Sequence, residues 1–237
     1  MKYNIIRLND DRKAYFDVLR QILGDGEIDI PAVNATEVNL HEELENRGIE
    51  HHGHIWGNPK AGELGVWLSN YDCWFTAAGM DEPLIVFEDD AIVDTFFWEK
   101  LYDVYKELPD DWDFVALWVP ENQHLDFRYE TVYENGIPRI NRTRGDWETS
   151  QYDIGGRYAA LVYQGYGMVS LMYSPKGAQK LIQLTKEYGI TGPVDCWIYE
   201  QAHMGNLNGY APRPEQASIV YYDWKAESHV QLTERIQ

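Results

Sequence analysis

The chain has 237 residues, 44% of them hydrophobic, with nine Trp and seventeen Tyr, and its 39 acidic against 20 basic residues give a formal net charge of −19. Such apolar and aromatic content excludes an intrinsically disordered chain, and the negative field disfavours duplex nucleic acid and anionic membranes as partners. No run of eighteen apolar residues occurs and Met1–Leu8 is too short for a signal-peptide core, so the expected setting is the cytoplasm, without a transmembrane segment.

In chain order, Tyr3–Leu8 reads as a strand, and Asn9-Asp10-Asp11 offers caps for a helix whose apolar positions Tyr15, Val18, Leu19, Ile22 and Leu23 recur at helical spacing. Gly24-Asp25-Gly26 stops that helix, and Ile28–Val33 reads as a second strand. Strand, helix and strand together open a chain as a nucleotide-binding α/β unit does. From Gly62 to Ala78 the stripe Leu64, Trp67, Leu68, Tyr71, Trp74 and Phe75 predicts one broad helical face, ended by Gly79. Leu84–Phe87 is a continuous apolar run of the kind that a central strand covered on both faces requires. Asp94 or Thr95 then caps a helix running to about Leu108, and Phe114–Val119 is a strand. Asn122–Tyr158 has no sustained period and predicts an irregular or hairpin-rich insertion. A strand over Gly167–Tyr173 and a helix begun by Pro175 and closed by Gly189 follow.

Three carboxylates, Glu88, Asp89 and Asp90, come straight after the apolar strand, which puts them at the carboxyl edge of a sheet, where open α/β folds bind ligands. Adjacent carboxylates repel one another, and a Mg²⁺ or Mn²⁺ ion or the donors of a ligand would relieve that repulsion. An acidic loop and helix cap on an acidic protein is the competing account. Asp195, in Gly192-Pro193-Val194-Asp195, is either the cap of a following helix or a carboxylate aimed into the site. His51, His52 and His54 lack a complete zinc-ligand spacing. Arg139, Arg142 and Arg144 form a solvated loop or a local groove for a phosphate backbone. Cys73 and Cys196 sit in apolar stretches, as buried thiols rather than a disulfide, and Asn34 and Asn141 begin chance glycosylation sequons.

These blocks together resemble glycosyltransferase family 25, the lipooligosaccharide and procollagen galactosyltransferases. The similar segments are IIRLNDDR (Ile5–Arg12), GELGVWLSNY (Gly62–Tyr71), LIVFEDD (Leu84–Asp90), Gly167–Leu181, Pro193–Asp195 and PEQAS (Pro214–Ser218). Two departures stand out: Asn70 occupies a position where the family usually has His, and fewer residues separate Asn9 from Arg12. The resemblance implies one α/β domain of the GT-A, Rossmann-like kind, with a donor-binding half at 1–119 and an acceptor-side half with the irregular insertion at 120–237. It further implies metal-dependent transfer with inversion, moving galactose or glucose from a UDP-sugar to a hydroxyl of a glycan or similar acceptor. By position, Asn9, Arg12, Lys60, Glu88 and Asp89 would contact the donor, Asp90 and Glu88 would hold Mn²⁺ or Mg²⁺, and Asp195 would be the general base, with Glu200 and His203 as alternatives. The competing functions are the same chemistry on a modified nucleobase or a protein hydroxyl, and a carbohydrate-binding protein that has lost catalysis.

Overall fold

The computed structural model describes residues 1–52, 60–93, 95–118, 127–134, 137–144, 159–161, 167–212 and 219–222. Its centre is a six-stranded mixed sheet, formed by β1 (Lys2–Ile6), β2 (Leu84–Glu88), β4 (Phe114–Ala116), β7 (Ala159–Leu161), β8 (Ser170–Tyr173) and β9 (Gly209–Pro212) in the order β1-β2-β8-β4-β9-β7. β1, β2, β4 and β9 run one way, and β8 and β7 run the other. The carboxyl ends of four strands therefore share one edge with the start of β8.

Pleating sends alternate residues of β2 to opposite faces. Leu84 and Val86 join a core with α3 (Ala61–Ala78), α5 (Pro175–Tyr188) and α6 (Val194–His203), while Ile85 and Phe87 join a core with α1 (Lys13–Leu23) and α4 (Phe97–Tyr105). The Leu84–Phe87 run is thus a central strand covered on both faces, as its composition requires. Part of the tryptophan excess is core: Trp67, Trp74 and Trp197 are fully buried, with ring centroids 5.1–6.3 Å apart. Cys73 and Cys196 are both free and buried. Burial pushes the Cys73 thiol up to about 12, against the opposing hydrogen bond that Asn4 donates to its sulfur.

Several local expectations are corrected. Ile28–Val33 forms no strand: Ile28 N–H bonds the Tyr3 carbonyl and Ile30 N–H the Asn4 side chain, but Pro31 has no N–H to extend a ladder. The strand that follows β1 in the sheet is instead β2. α1 begins with Arg12 in the capping position and no side-chain cap, because Asn9 Oδ1 accepts from Asp11 N–H in a local turn. α4 is preceded by Phe96 rather than a polar cap and ends at Tyr105, short of Leu108; Asp94 lies outside the described residues. β1 stops at Ile6 and β8 begins only at Ser170. Five elements among the described residues go beyond the expectation: α2 (Leu40–Arg47), the short pair β3 (Ala91–Val93) and β10 (Val220–Tyr222), β7 and β9. Of the insertion, β5 (Phe127–Glu134) and β6 (Ile137–Arg144) form an antiparallel hairpin, and the rest is outside the described residues. Arg139, Arg142 and Arg144 therefore lie on a strand and not in a loop.

Candidate active site at the carboxyl edge

Glu88 is the last residue of β2 and continues the face of Leu84 and Val86, toward α6. Its own N–H bonds the Val169 carbonyl, which locks the end of β2 beside the segment leading into β8. The chain then turns through Asp89 and Asp90 into β3. The carboxylates consequently divide: Asp89 and Asp90 meet the start of α1, and Glu88 faces the α6 side.

Arg12 supplies the link to α1. Its Nη1 donates to Asp89 Oδ1 at 2.7 Å and to Asp90 Oδ2 at 2.8 Å, with the Arg12, Asp89 and Asp90 side chains 12%, 13% and 7% exposed. Burial works against the charge of this guanidinium, but the hydrogen bond to Asp89 and the charges of Asp89, Asp90 and Glu88 outweigh it and raise the Arg12 pKa. Glu88 is affected in the opposite sense. Burial first, then the charges of Asp90, Asp195 and Asp89, lift its carboxyl well above the ordinary range, and Arg12 only partly offsets this.

Asp195 stands in the first turn of α6, where negative charge suits the helix dipole, but it is not the cap: Pro193 holds that position. Asp195 Oδ2 instead accepts the N–H of Gly167 at 2.6 Å, which brings α6 to the same edge as Glu88. Gly167 is indispensable to that contact. Its φ is 78°, and a Cβ there would come within 2.5 Å of the Trp118 ring at the end of β4. Neither Gly167 nor Trp118 stands out in the sequence as a site residue; the only signal is the Gly165-Tyr166-Gly167 run just before an apolar strand.

The other sequence candidates spread around this centre. Asn9 is exposed in the loop between β1 and α1. Lys60 precedes α3, where its backbone N–H donates to the Glu63 carboxylate at 2.8 Å in a capping box. Glu200 and His203 lie further along α6 than Asp195, about 7.5 and 12 Å down the helix axis at 1.5 Å per residue. Glu200 is buried, and burial holds the His203 pKa below the ordinary imidazole value. His51 and His52 lie beside Ile190 through a backbone bridge, and His54 is outside the described residues. Burial, then the neighbouring His52, lowers the His51 pKa.

Among the described residues no group of three or more His, Cys, Asp or Glu side chains is gathered to hold a metal ion. What the edge does supply is hard oxygen donors. Asp89 and Asp90 already hold a positive group between them, a chemistry that fits Mg²⁺ or Mn²⁺ bound through one or two protein carboxylates with substrate phosphates completing the shell. No helix among the described residues is long and apolar enough to cross a membrane.

A search of curated proteins finds no match to this chain. The model of glycosyltransferase family 25 (LPS biosynthesis protein) matches residues 2–198, a span that contains Arg12, Glu88–Asp90, Gly167 and Asp195. With that match over most of its length, the chain belongs to glycosyltransferase family 25 and is a glycosyltransferase enzyme.

Proposed function

We propose that this enzyme, on a fold of the GT-A kind, moves a hexose, galactose or glucose, from a UDP-sugar to an acceptor hydroxyl on a glycan, with inversion and with Mn²⁺ or Mg²⁺. The observation that supports this reading best is the meeting at one sheet edge of Arg12, Asp89 and Asp90 with Asp195, with Glu88 between them. Asp90 and Glu88 would hold the cation, Asn9 and Arg12 would lie beside the nucleotide, Lys60 would meet the diphosphate, and Glu88 and Asp89 would contact the donor's ribose. The cation supplies neutralisation of the diphosphate as it departs.

Inversion needs a base on the face opposite the leaving group. Asp195 takes the acceptor hydroxyl's proton as that oxygen bonds to the anomeric carbon, and the bond from that carbon to the diphosphate breaks, the electron pair leaving with the diphosphate. The Gly167 N–H holds Asp195 Oδ2 and so fixes the direction in which Oδ1 points. Glu200 and His203, one and two turns further from the edge, are less well placed for this role. The Asp195→Asn variant keeps the acceptor for Gly167 N–H and removes the base. It is expected to bind UDP-sugar within a few-fold of the wild type while transfer falls by about 10²-fold or more. Near-normal transfer by this variant would assign Asp195 to anchoring Gly167 and place the base elsewhere.

A further inference from the structure

We propose that Arg12 is a built-in stand-in for the cation: it neutralises Asp89 and Asp90 before the donor arrives, then exchanges its carboxylate partners for the donor's diphosphate. This rests on the metal-dependent reading above. A single nitrogen, Nη1, uses its hydrogens on two carboxylates from consecutive residues, Asp89 Oδ1 and Asp90 Oδ2, in a setting where all three side chains are largely withdrawn from water. A divalent ion on Glu88 and Asp90 would take an Asp90 oxygen at about 2.0–2.2 Å, on the same carboxylate whose Oδ2 Arg12 already holds. Two positive groups held a few ångströms apart on one largely buried carboxylate repel each other strongly. Arg12 and the ion are therefore alternatives at this place.

The need for a stand-in follows from the charges gathered there. Glu88, Asp89 and Asp90 follow one another at the end of β2 and Asp195 reaches the same edge through Gly167, and among the described residues Arg12 holds two of these carboxylates. The destination follows from position. Arg12 stands just before the first turn of α1, beside Asp89 and Asp90 at the edge proposed to take the diphosphate. A guanidinium released from carboxylates binds phosphate oxygens with the same planar fork. The exchange makes ion and nucleotide bind cooperatively, since either one alone leaves Arg12 competing for the carboxylates.

The test is calorimetry on the full chain with two probes, Mn²⁺ alone and UDP in saturating Mn²⁺, comparing wild type with Arg12→Gln. The variant is expected to bind Mn²⁺ alone about ten-fold more tightly and UDP about ten-fold more weakly. An arginine that merely stabilised the loop would weaken both on removal, and that result, or an unchanged Mn²⁺ affinity, overturns the proposal. Should Arg12→Gln not fold, Arg12→Lys keeps the charge without the fork and carries the same comparison, with both shifts in the same directions but smaller. If the wild type binds no UDP in the presence of Mn²⁺, the metal-dependent reading itself fails; if it does and only the opposed shifts are missing, the exchange alone is wrong.

Discussion

Glu88 closes an apolar strand with a carboxylate that the fold then surrounds with other carboxylates, an arrangement that costs stability when Glu88 ionises. The sign is definite. Its pKa in the folded state lies above the unfolded value, so its contribution to stability is full below the ordinary carboxylate range, about 4–4.5, and is lost as pH rises through the elevated value. Glutamine has the shape of the protonated acid and does not ionise. In EDTA, Glu88→Gln is expected to be more stable than the wild type at pH 8, by about 1 kcal/mol or more, with a smaller gain at pH 5, as read from urea unfolding. An equal effect at both pH values would mean that Glu88 does not experience the neighbouring charges in this way.

The helices and strands that carry the site are held by close backbone approaches. At the start of α5, Ser174 Oγ accepts the Gly177 N–H and donates to the Trp112 carbonyl, and a Cβ on Gly177 would fall 2.1 Å from the Asp113 carbonyl oxygen. Gly177→Ala must push α5 off the amino end of β4, and a loss of about 2–3 kcal/mol in urea unfolding is expected despite the better helix propensity of alanine. A neutral substitution would contradict this packing. The β5–β6 hairpin contrasts with it, since among the described residues it forms a two-stranded sheet of its own, and such a ribbon is marginally stable in water. Its amides are expected to exchange faster than those of β2 in the free enzyme and to gain protection when donor or acceptor binds. Maximal protection in the free enzyme, unchanged by ligands, would remove the hairpin from acceptor recognition. The legibility of these elements in the sequence tracks how local their causes are. β2, α3 and α5 announce themselves through an apolar run, a broad stripe and a Ser174-Pro175 start. α2 escaped a hydrophobic reading because LHEELENR is almost wholly polar, although Asn39 caps it and Gly48, at φ 64°, ends it. Ile28–Val33 has strand-like residues, but Pro31 denies it a ladder. The carboxylate cluster was legible from its place after β2, whereas its division between Arg12 and Asp195 depends on contacts across 77, 78 and 28 residues that no local pattern encodes.

Across the whole molecule, the charge of −19 and the geometry of the edge act together. The field attracts small cations and repels a free nucleotide diphosphate, so a donor should approach most readily with its charge already reduced by a divalent ion. At the site itself, Glu88, Asp89 and Asp90 would confront the diphosphate as like charges unless a cation stood between them. This account of the enzyme is most directly tested by calorimetric titration of the wild type and Asp90→Ala with UDP-galactose and UDP-glucose, in Mn²⁺ and in EDTA. The expected result is binding of at least one donor by the wild type in Mn²⁺, weakened by about 10²-fold or more in EDTA, with Asp90→Ala showing little gain from the metal. Equal affinity in Mn²⁺ and EDTA, or metal-dependent binding unchanged in Asp90→Ala, would contradict it.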